Sequence, residues 1–180
     1  VITQEATHTK KVIFHPGMMP QVVLCDPALT VGLPPRLTAG TGMDALAHCL
    51  EAWCAPGFHP MADGIALEGM RLVKDGLVRA VADGTDMEAR AWMMAAAAMG
   101  AVAFQKGLGG IHAVSHPVGA LYDTHHGLTN AVFMPYVLVH NRPAIAGRLA
   151  RAAAYLELPA SFEGFLDWVL ELRAAVGVPH

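Results

Sequence analysis

Four side chains of metal-binding type fall in two pairs at helical spacing, and a fifth follows the second pair across a loop. Asp44 and His48 stand four residues apart in Thr41-Gly42-Met43-Asp44-Ala45-Leu46-Ala47-His48, and His112 and His116 stand four apart in His112-Ala113-Val114-Ser115-His116. On a helix each pair shares one face, one turn apart. His126 follows the loop 123–125 and opens a further helix. Their neighbours are mostly apolar, so these groups would be carried into a core, where an unpaired imidazole or carboxylate costs several kcal/mol. A divalent cation is the simplest shared partner. Three imidazoles and one carboxylate suit Fe²⁺, Zn²⁺, Co²⁺ or Ni²⁺, not the oxygen-seeking Ca²⁺ and Mg²⁺. Four protein ligands leave a position free if the ion expands to five or six coordination, and an open position means catalysis rather than structure. Taken singly, a histidine on an apolar helix is more often a hydrogen-bonded core residue, and an Asp/His pair at i, i+4 more often a surface ion pair. Spacing alone leaves those readings open. His8, His15, His140 and His180 fall outside the pattern and are expected to be solvated. His59, just before Pro60, is expected to cap or pack at a helix start.

The elements that must position these groups are mainly helices. Short β-branched or apolar runs at Val1-Ile2-Thr3, Lys11-Val12-Ile13-Phe14 and Gln21-Val22-Val23-Leu24 read as two or three strands, punctuated by Pro16, Gly17 and Pro20. Strands need neighbours for their edges, and so few here suggest that the chain begins inside a larger fold. From about residue 31 the pattern turns helical. Helices are expected over 36–54, from Pro60 to about Val78, over 87–104, 111–121, 128–140, 144–155 and 161–175. Pro56-Gly57, Asp83-Gly84-Thr85-Asp86, Gly107-Leu108-Gly109-Gly110 and Asn141-Arg142-Pro143 act as breaks. Asp86 is placed to cap the third helix. That helix, uncharged all round from Ala91 to Phe104, is expected to be central and surrounded by others. Gly40-Thr41-Gly42-Met43-Asp44-Ala45 matches a dinucleotide-binding glycine pattern. Its preceding Leu33-Pro34-Pro35-Arg36-Leu37 cannot be the central strand that pattern requires, so its small residues point instead to close helix packing or the approach of a ligand.

Composition narrows the function classes. The chain has 180 residues, so one domain or one domain plus a fragment is expected. Charged residues are 15% and hydrophobic ones 54%, against about 25% charged in a typical soluble domain. Such a chain has an unusually large core or hides surface against a partner. Lys plus Arg number 12 against 15 Asp plus Glu, with no basic stripe, which disfavours nucleic acid. Cys25, Cys49 and Cys54 form an odd set without CxxC spacing, fitting a reducing, cytoplasmic compartment. The start is neither basic nor followed by a long apolar run, so no signal peptide is expected. The charge-free stretch Ala91–Gln105 falls short of the about 20 residues a membrane span needs.

At these residues the chain resembles the iron-containing (group III) alcohol dehydrogenase family. The segments that carry the resemblance are Thr41–His48, His59-Pro60-Met61-Ala62-Asp63-Gly64-Ile65-Ala66-Leu67-Glu68, the stretch Gly107–Asn130 and, upstream, Asp26-Pro27-Ala28-Leu29-Thr30. The resemblance implies a two-domain, dehydroquinate synthase-like enzyme with an N-terminal nucleotide-binding α/β domain and a C-terminal helical domain. This chain then corresponds to a mainly α, C-terminal helical bundle. Residues 1–30 would be terminal strands of a truncated nucleotide-binding domain, and 31–180 an all-helical metal-binding domain, itself truncated at its C-terminal end. The family's Gly-Gly-Gly-Ser phosphate turn is absent. By resemblance, Asp44, His48, His112 and His126 are the metal ligands. His116 is a proton-transfer residue near nicotinamide and substrate, and Lys10 and Leu29 lie near cofactor-contacting positions.

The implied reaction is reversible oxidation of an alcohol to an aldehyde or ketone. The implied cofactors are Fe²⁺, with Zn²⁺ as the alternative, and NAD or NADP. The implied partners are a small alcohol or aldehyde, the missing nucleotide-binding domain and a second copy in a homodimer, with neither membrane nor nucleic acid. Phe104, Trp53 and Tyr122 are candidate pocket residues. Two other readings stand beside this one: a truncated helical metal-binding or interaction module without activity of its own, and a metal-dependent lyase or synthase on the same fold.

Overall fold

The computed structural model describes residues 2–13 and 15–179. Val1 and Phe14, expected in strands, and His180, expected to be solvated, lie outside the described residues. The chain opens with an antiparallel hairpin of β1 (Ile2–Gln4) and β2 (Thr9–Lys11), in which Ile2 pairs with Lys11 and Gln4 with Thr9. Six α-helices follow among the described residues: α1 (Pro35–Cys54), α2 (Pro60–Ala82), α3 (Met87–Ala103), α4 (Gly110–Tyr122), α5 (His126–Tyr155) and α6 (Phe162–Ala175). The architecture is the helical bundle expected, with a short strand pair at its start.

Helix starts follow the capping chemistry of the sequence. The Asp86 carboxylate accepts from Ala89 N at 3.0 Å, and Ser161 Oγ from Gly164 N at 2.9 Å. His59 caps α2 through Nδ1, accepting from Ala62 N at 3.2 Å. His125 does the same for α5, accepting from Leu128 N at 3.3 Å.

Helix α1 is the centre of the bundle. It packs against α2, α3 and α5 and buries Met43, Leu46, Leu50 and Trp53 completely or nearly so. Around it lie Met70, Val73 and Leu77 of α2, Met134 and Leu149 of α5, and Phe165 of α6.

Three expectations are corrected. Helix α3 is peripheral, not central: Ala89, Ala96, Gly100 and Ala103 are buried, while Ala95, Ala97, Ala98, Ala101 and Val102 are exposed. Alanine carries so little apolar area that an uncharged face of it tolerates solvent. The segments 128–140 and 144–155 are one helix, running unbroken through Pro135 and Pro143. A proline in a helix interior costs about 3 kcal/mol. Here one apolar stripe, Met134, Leu138, Ile145, Leu149 and Ala152, stays buried along the whole length and offsets it. Finally, Gln21–Leu24 forms no strand, and Val22, Val23 and Leu24 are exposed, because no described strand lies beside them to complete a ladder.

No helix among the described residues is long and apolar enough to cross a membrane.

Candidate metal centre

Asp44 and His48 project from the same face of α1, one turn apart, as their spacing requires. His112 lies in the first turn of α4 and His126 is the first residue of α5. The three helices bring them to one place. Asp44 Oδ1 lies 3.6 Å from His112 Nε2 and 3.5 Å from His126 Nε2. Asp44, His48 and His112 each offer a ligand atom within 4.8 Å of one another. The rings of His48 and His112 stack, with centroids 4.7 Å apart, and the His126 ring lies 5.2 Å from that of His112. His116, one turn along α4, completes the cluster at 5.7 Å from His112 and 5.2 Å from His126.

Small residues make this convergence possible. Gly127 faces the backbone of Gly40, and a Cβ on it would overlap the Gly40 carbonyl and lie 3.2 Å from Asp44 Cβ. Gly100 of α3 is tight against α1 in the same way: a Cβ there would lie 2.9 Å from His48 Cβ. The glycine pattern around residue 40 therefore serves close helix packing, as expected.

Two further residues complete the polar network. The Asn130 amide, one turn after His126, donates to Asp44 Oδ1 at 2.6 Å, and its Nδ2 lies 3.1 Å from His112 Nε2 and 3.2 Å from His126 Nε2. Glu51, two turns after Asp44 on α1, is buried and has an oxygen 2.6 Å from His112 Nδ1. Neither was singled out from the sequence. The signal was present: Asp44, His48 and Glu51 follow i, i+4, i+7, and His126 and Asn130 follow i, i+4.

Electrostatics sharpen the cluster. Burial pulls the Asp44 carboxyl up, but the His112 imidazole, the charges of His48 and His126, and the Asn130 amide together hold it at about 2. Burial pulls His112 down, yet the carboxylates of Asp44 and Glu51 push it up to about 9. His126 is pulled down to about 4, first by burial and then, against the pull of Asp44, by the positive charge of His112. Burial likewise lowers His48 and His116.

The cluster forms the floor of a cleft of about 720 Å³. Phe104 lines it and sits 5.0 Å from the His48 ring, while Lys10, Val12 and Met19 form its outer wall. Of the candidate pocket aromatics, only Phe104 belongs there. Trp53 is locked in the core, where its indole N–H donates to Arg148 O at 2.9 Å. Tyr122 is 73% exposed at the far end of α4 and does not line the cleft.

Residues 38–180 match the Fe-containing alcohol dehydrogenase family, C-terminal. The chain belongs to this family. It is 48% identical over 180 residues to the 4-hydroxybutyrate dehydrogenase of Cupriavidus necator, covering 94% of this chain and 47% of that protein. Among solved structures, an archaeal halo-thermophilic Red Sea brine pool alcohol dehydrogenase superposes with a TM-score of 0.92 at 30% identity, over 100% of this chain and 48% of the other. The sulfoacetaldehyde reductase of Bifidobacterium kashiwanohense in complex with NAD⁺ gives 0.87 at 30% identity, over 93% and 44%. The chain thus spans about half the length of the relatives it matches.

For an iron-containing alcohol dehydrogenase unit, the placement of the remaining candidates is informative. Lys10 is carried by β2 to the cleft mouth, against the α4 face that presents His116. Leu29 stands apart: it is 82% exposed on the turn Pro27–Thr30 and does not line the cleft. His8, His15 and His140 are exposed, as expected. The donor set fits a borderline divalent ion: three imidazoles and a carboxylate converge, and the buried Asn130 Oδ1 and His126 Nδ1 lack a hydrogen-bond partner among the described residues.

Proposed function

We propose that this chain is the metal-binding half of an NAD(P)-linked alcohol dehydrogenase that interconverts a small alcohol with its aldehyde or ketone. The observation that carries this is the meeting of Asp44 with His112 and His126 at 3.6 and 3.5 Å, beside His48, on the floor of an open cleft. The names of the relatives support the substrate class: 4-hydroxybutyrate and methanol dehydrogenases share 48% and 43% identity with the chain. The NAD⁺ complex of a structural relative supports the nucleotide. In this reading residues 31–180 are the metal-binding domain, and residues 1–30 are the tail of a nucleotide-binding domain supplied by a longer protein.

Asp44, His48, His112 and His126 would hold the ion, Fe²⁺ or alternatively Zn²⁺. Once bound, it would polarise the substrate oxygen and favour the more negative form of that atom. The rest falls to this chain's own side chains. The helix crossings fix the distance and direction from which substrate enters. Phe104, Val12 and Met19 make the wall beside the reacting centre apolar. His116 lies in the same cleft without being drawn into the Asp44 contacts. Being half-exposed and kept neutral near pH 7 by its lowered pKa, it can accept the hydroxyl proton during oxidation and return it during reduction. Lys10 at the rim and Leu29 on its exposed turn are the proposed contacts to NAD or NADP. In this reading residues 1–180 by themselves are expected to hold metal and not to transfer hydride.

The test is metal analysis combined with an alcohol and NAD⁺ assay of the intact protein. His112→Ala and His126→Ala should each lose bound metal and turnover. Wild-type metal content and turnover in both variants would overturn the assignment.

A further inference from the structure

Glu51 is the one carboxylate in the core that no lysine or arginine accompanies among the described residues. It is 5% exposed and its two oxygens are both engaged. One accepts from the backbone N–H of Ile111 at 2.6 Å, and the other lies 2.6 Å from His112 Nδ1. Ile111 is the second residue of α4, so its N–H has no partner within the helix and sits at the positive end of the helix dipole. The preceding glycines make the approach possible: a Cβ on Gly109 would lie 3.0 Å from Glu51 Oε1. A carboxylate that accepts on both oxygens leaves His112 Nδ1 only the role of donor. In the neutral ring that metal requires, the proton is then fixed on Nδ1, and Nε2, which faces Asp44 at 3.6 Å, presents its lone pair to the cluster.

We infer that Glu51 is a positioning residue: anchored on the first turn of α4, it locks the ring direction and tautomer of His112 so that Nε2 is the metal-binding atom. The inference rests on the proposed metal centre and deepens it. Carboxylates behind ligating histidines set ring orientation and basicity, and their loss weakens metal binding by about 10- to 100-fold. Glu51→Gln is the sharp probe because it preserves shape. A neutral amide cannot accept from both Ile111 N–H and His112 Nδ1–H. If its NH₂ faces His112, the imidazole proton moves to Nε2 and blocks the lone pair; if it faces Ile111, two donors are opposed at the helix start.

The experiment titrates the metal-free intact protein with Co²⁺ alone, following the visible absorption bands and competing with a chelator. Thermal midpoints of the metal-free forms serve as the fold control. Glu51→Gln should weaken Co²⁺ by about 10- to 100-fold and shift the bands, and Glu51→Asp should recover part of both. An unchanged Kd and spectrum in a folded Glu51→Gln would overturn the inference while leaving the metal centre standing. Wild-type protein that takes up no Co²⁺ overturns both. Should Glu51→Gln fail to fold, ¹⁵N spectra of the wild type decide: a proton on His112 Nδ1 with metal on Nε2 is the expected result, and metal on Nδ1 sinks the proposal.

Discussion

Gly127 rests directly on the backbone carbonyl of Gly40, where α5 crosses α1, and it is this contact that delivers His126 to Asp44. A methyl group on Gly127 would overlap that oxygen, which belongs to a helix backbone and cannot swing aside. Gly127→Ala must therefore push the start of α5 outward. Overpacking of this kind costs about 1–3 kcal/mol, and the displaced His126 should cost bound metal as well. Gly147, later in α5, meets nothing within 4 Å, so Gly147→Ala should raise stability by about 0.4–1 kcal/mol with metal unchanged. Chemical denaturation and metal stoichiometry on both variants check the pair. Equal metal in the two would mean that the crossing does not place His126.

The three thiols should separate cleanly. Cys25 is exposed, Cys49 is fully buried and Cys54 is half-buried. Burial pushes both Cys49 and Cys54 up to about 12 from an ordinary 9.0, so neither carries appreciable thiolate at neutral pH. At pH 8 a disulfide-exchange reagent should titrate Cys25 quickly and the other two only after unfolding. The same shifts give an alkaline liability. Above pH 9 the unfolded chain releases these protons while the folded one does not until about 12, so stability should fall as pH rises through that window. Rapid modification of Cys49 in native protein would contradict the packing of α1 against α3.

Much of this organisation could be read from residue spacing, and the failures have physical causes. Asp44–His48 and His112–His116 were legible because an i, i+4 pair stays on one helix face whatever surrounds it. The turns at Pro56-Gly57 and Asp83–Asp86 were legible because they carry their own backbone chemistry. What failed depended on tertiary context. Pro143 ends a helix in isolation but not one held down on both sides by Leu138, Ile145 and Leu149. An alanine-rich helix looks central when hydrophobicity is counted, yet α3 is peripheral because its residues are small. Glu51 and Asn130 were passed over because their types are common on helix surfaces; only the helix crossings show that both face the histidines.

Protons and metal should compete at His112. Without metal, its imidazole sits between the carboxylates of Asp44 and Glu51 and holds its proton up to about pH 9. For the metal-free fold, the raised pKa is a stabilising contribution fully present below the ordinary 6.5 and lost as pH rises from 6.5 to 9. For metal binding the sign is reversed. The ligand must surrender that proton, so apparent affinity should climb about tenfold per pH unit below 9 and level off above it. Chelator competition with Zn²⁺ at pH 6.5, 8 and 9.5 measures the slope, and calorimetry in buffers of different ionisation enthalpy counts the proton released. An affinity flat across that range would mean that His112 is not protonated in the metal-free protein.

His116 should part company with its neighbours on mutation. It lies in the cleft, 5.7 Å from His112 and 5.2 Å from His126 ring to ring, but makes no close contact with Asp44. Burial and the charge of His112 lower its pKa, so it is neutral at pH 7 and free to accept a proton. In oxidation, turnover should fall on the acid side as His116 becomes protonated and can no longer accept. His116→Ala should keep its metal, lose kcat by about 10² or more, flatten that acid limb and respond to added imidazole, while His126→Ala should lose metal outright. Steady-state kinetics across pH, with metal content measured on the same samples, separates the roles. Metal loss in His116→Ala would make it a ligand, and an unaltered rate and pH profile would remove it from proton transfer altogether.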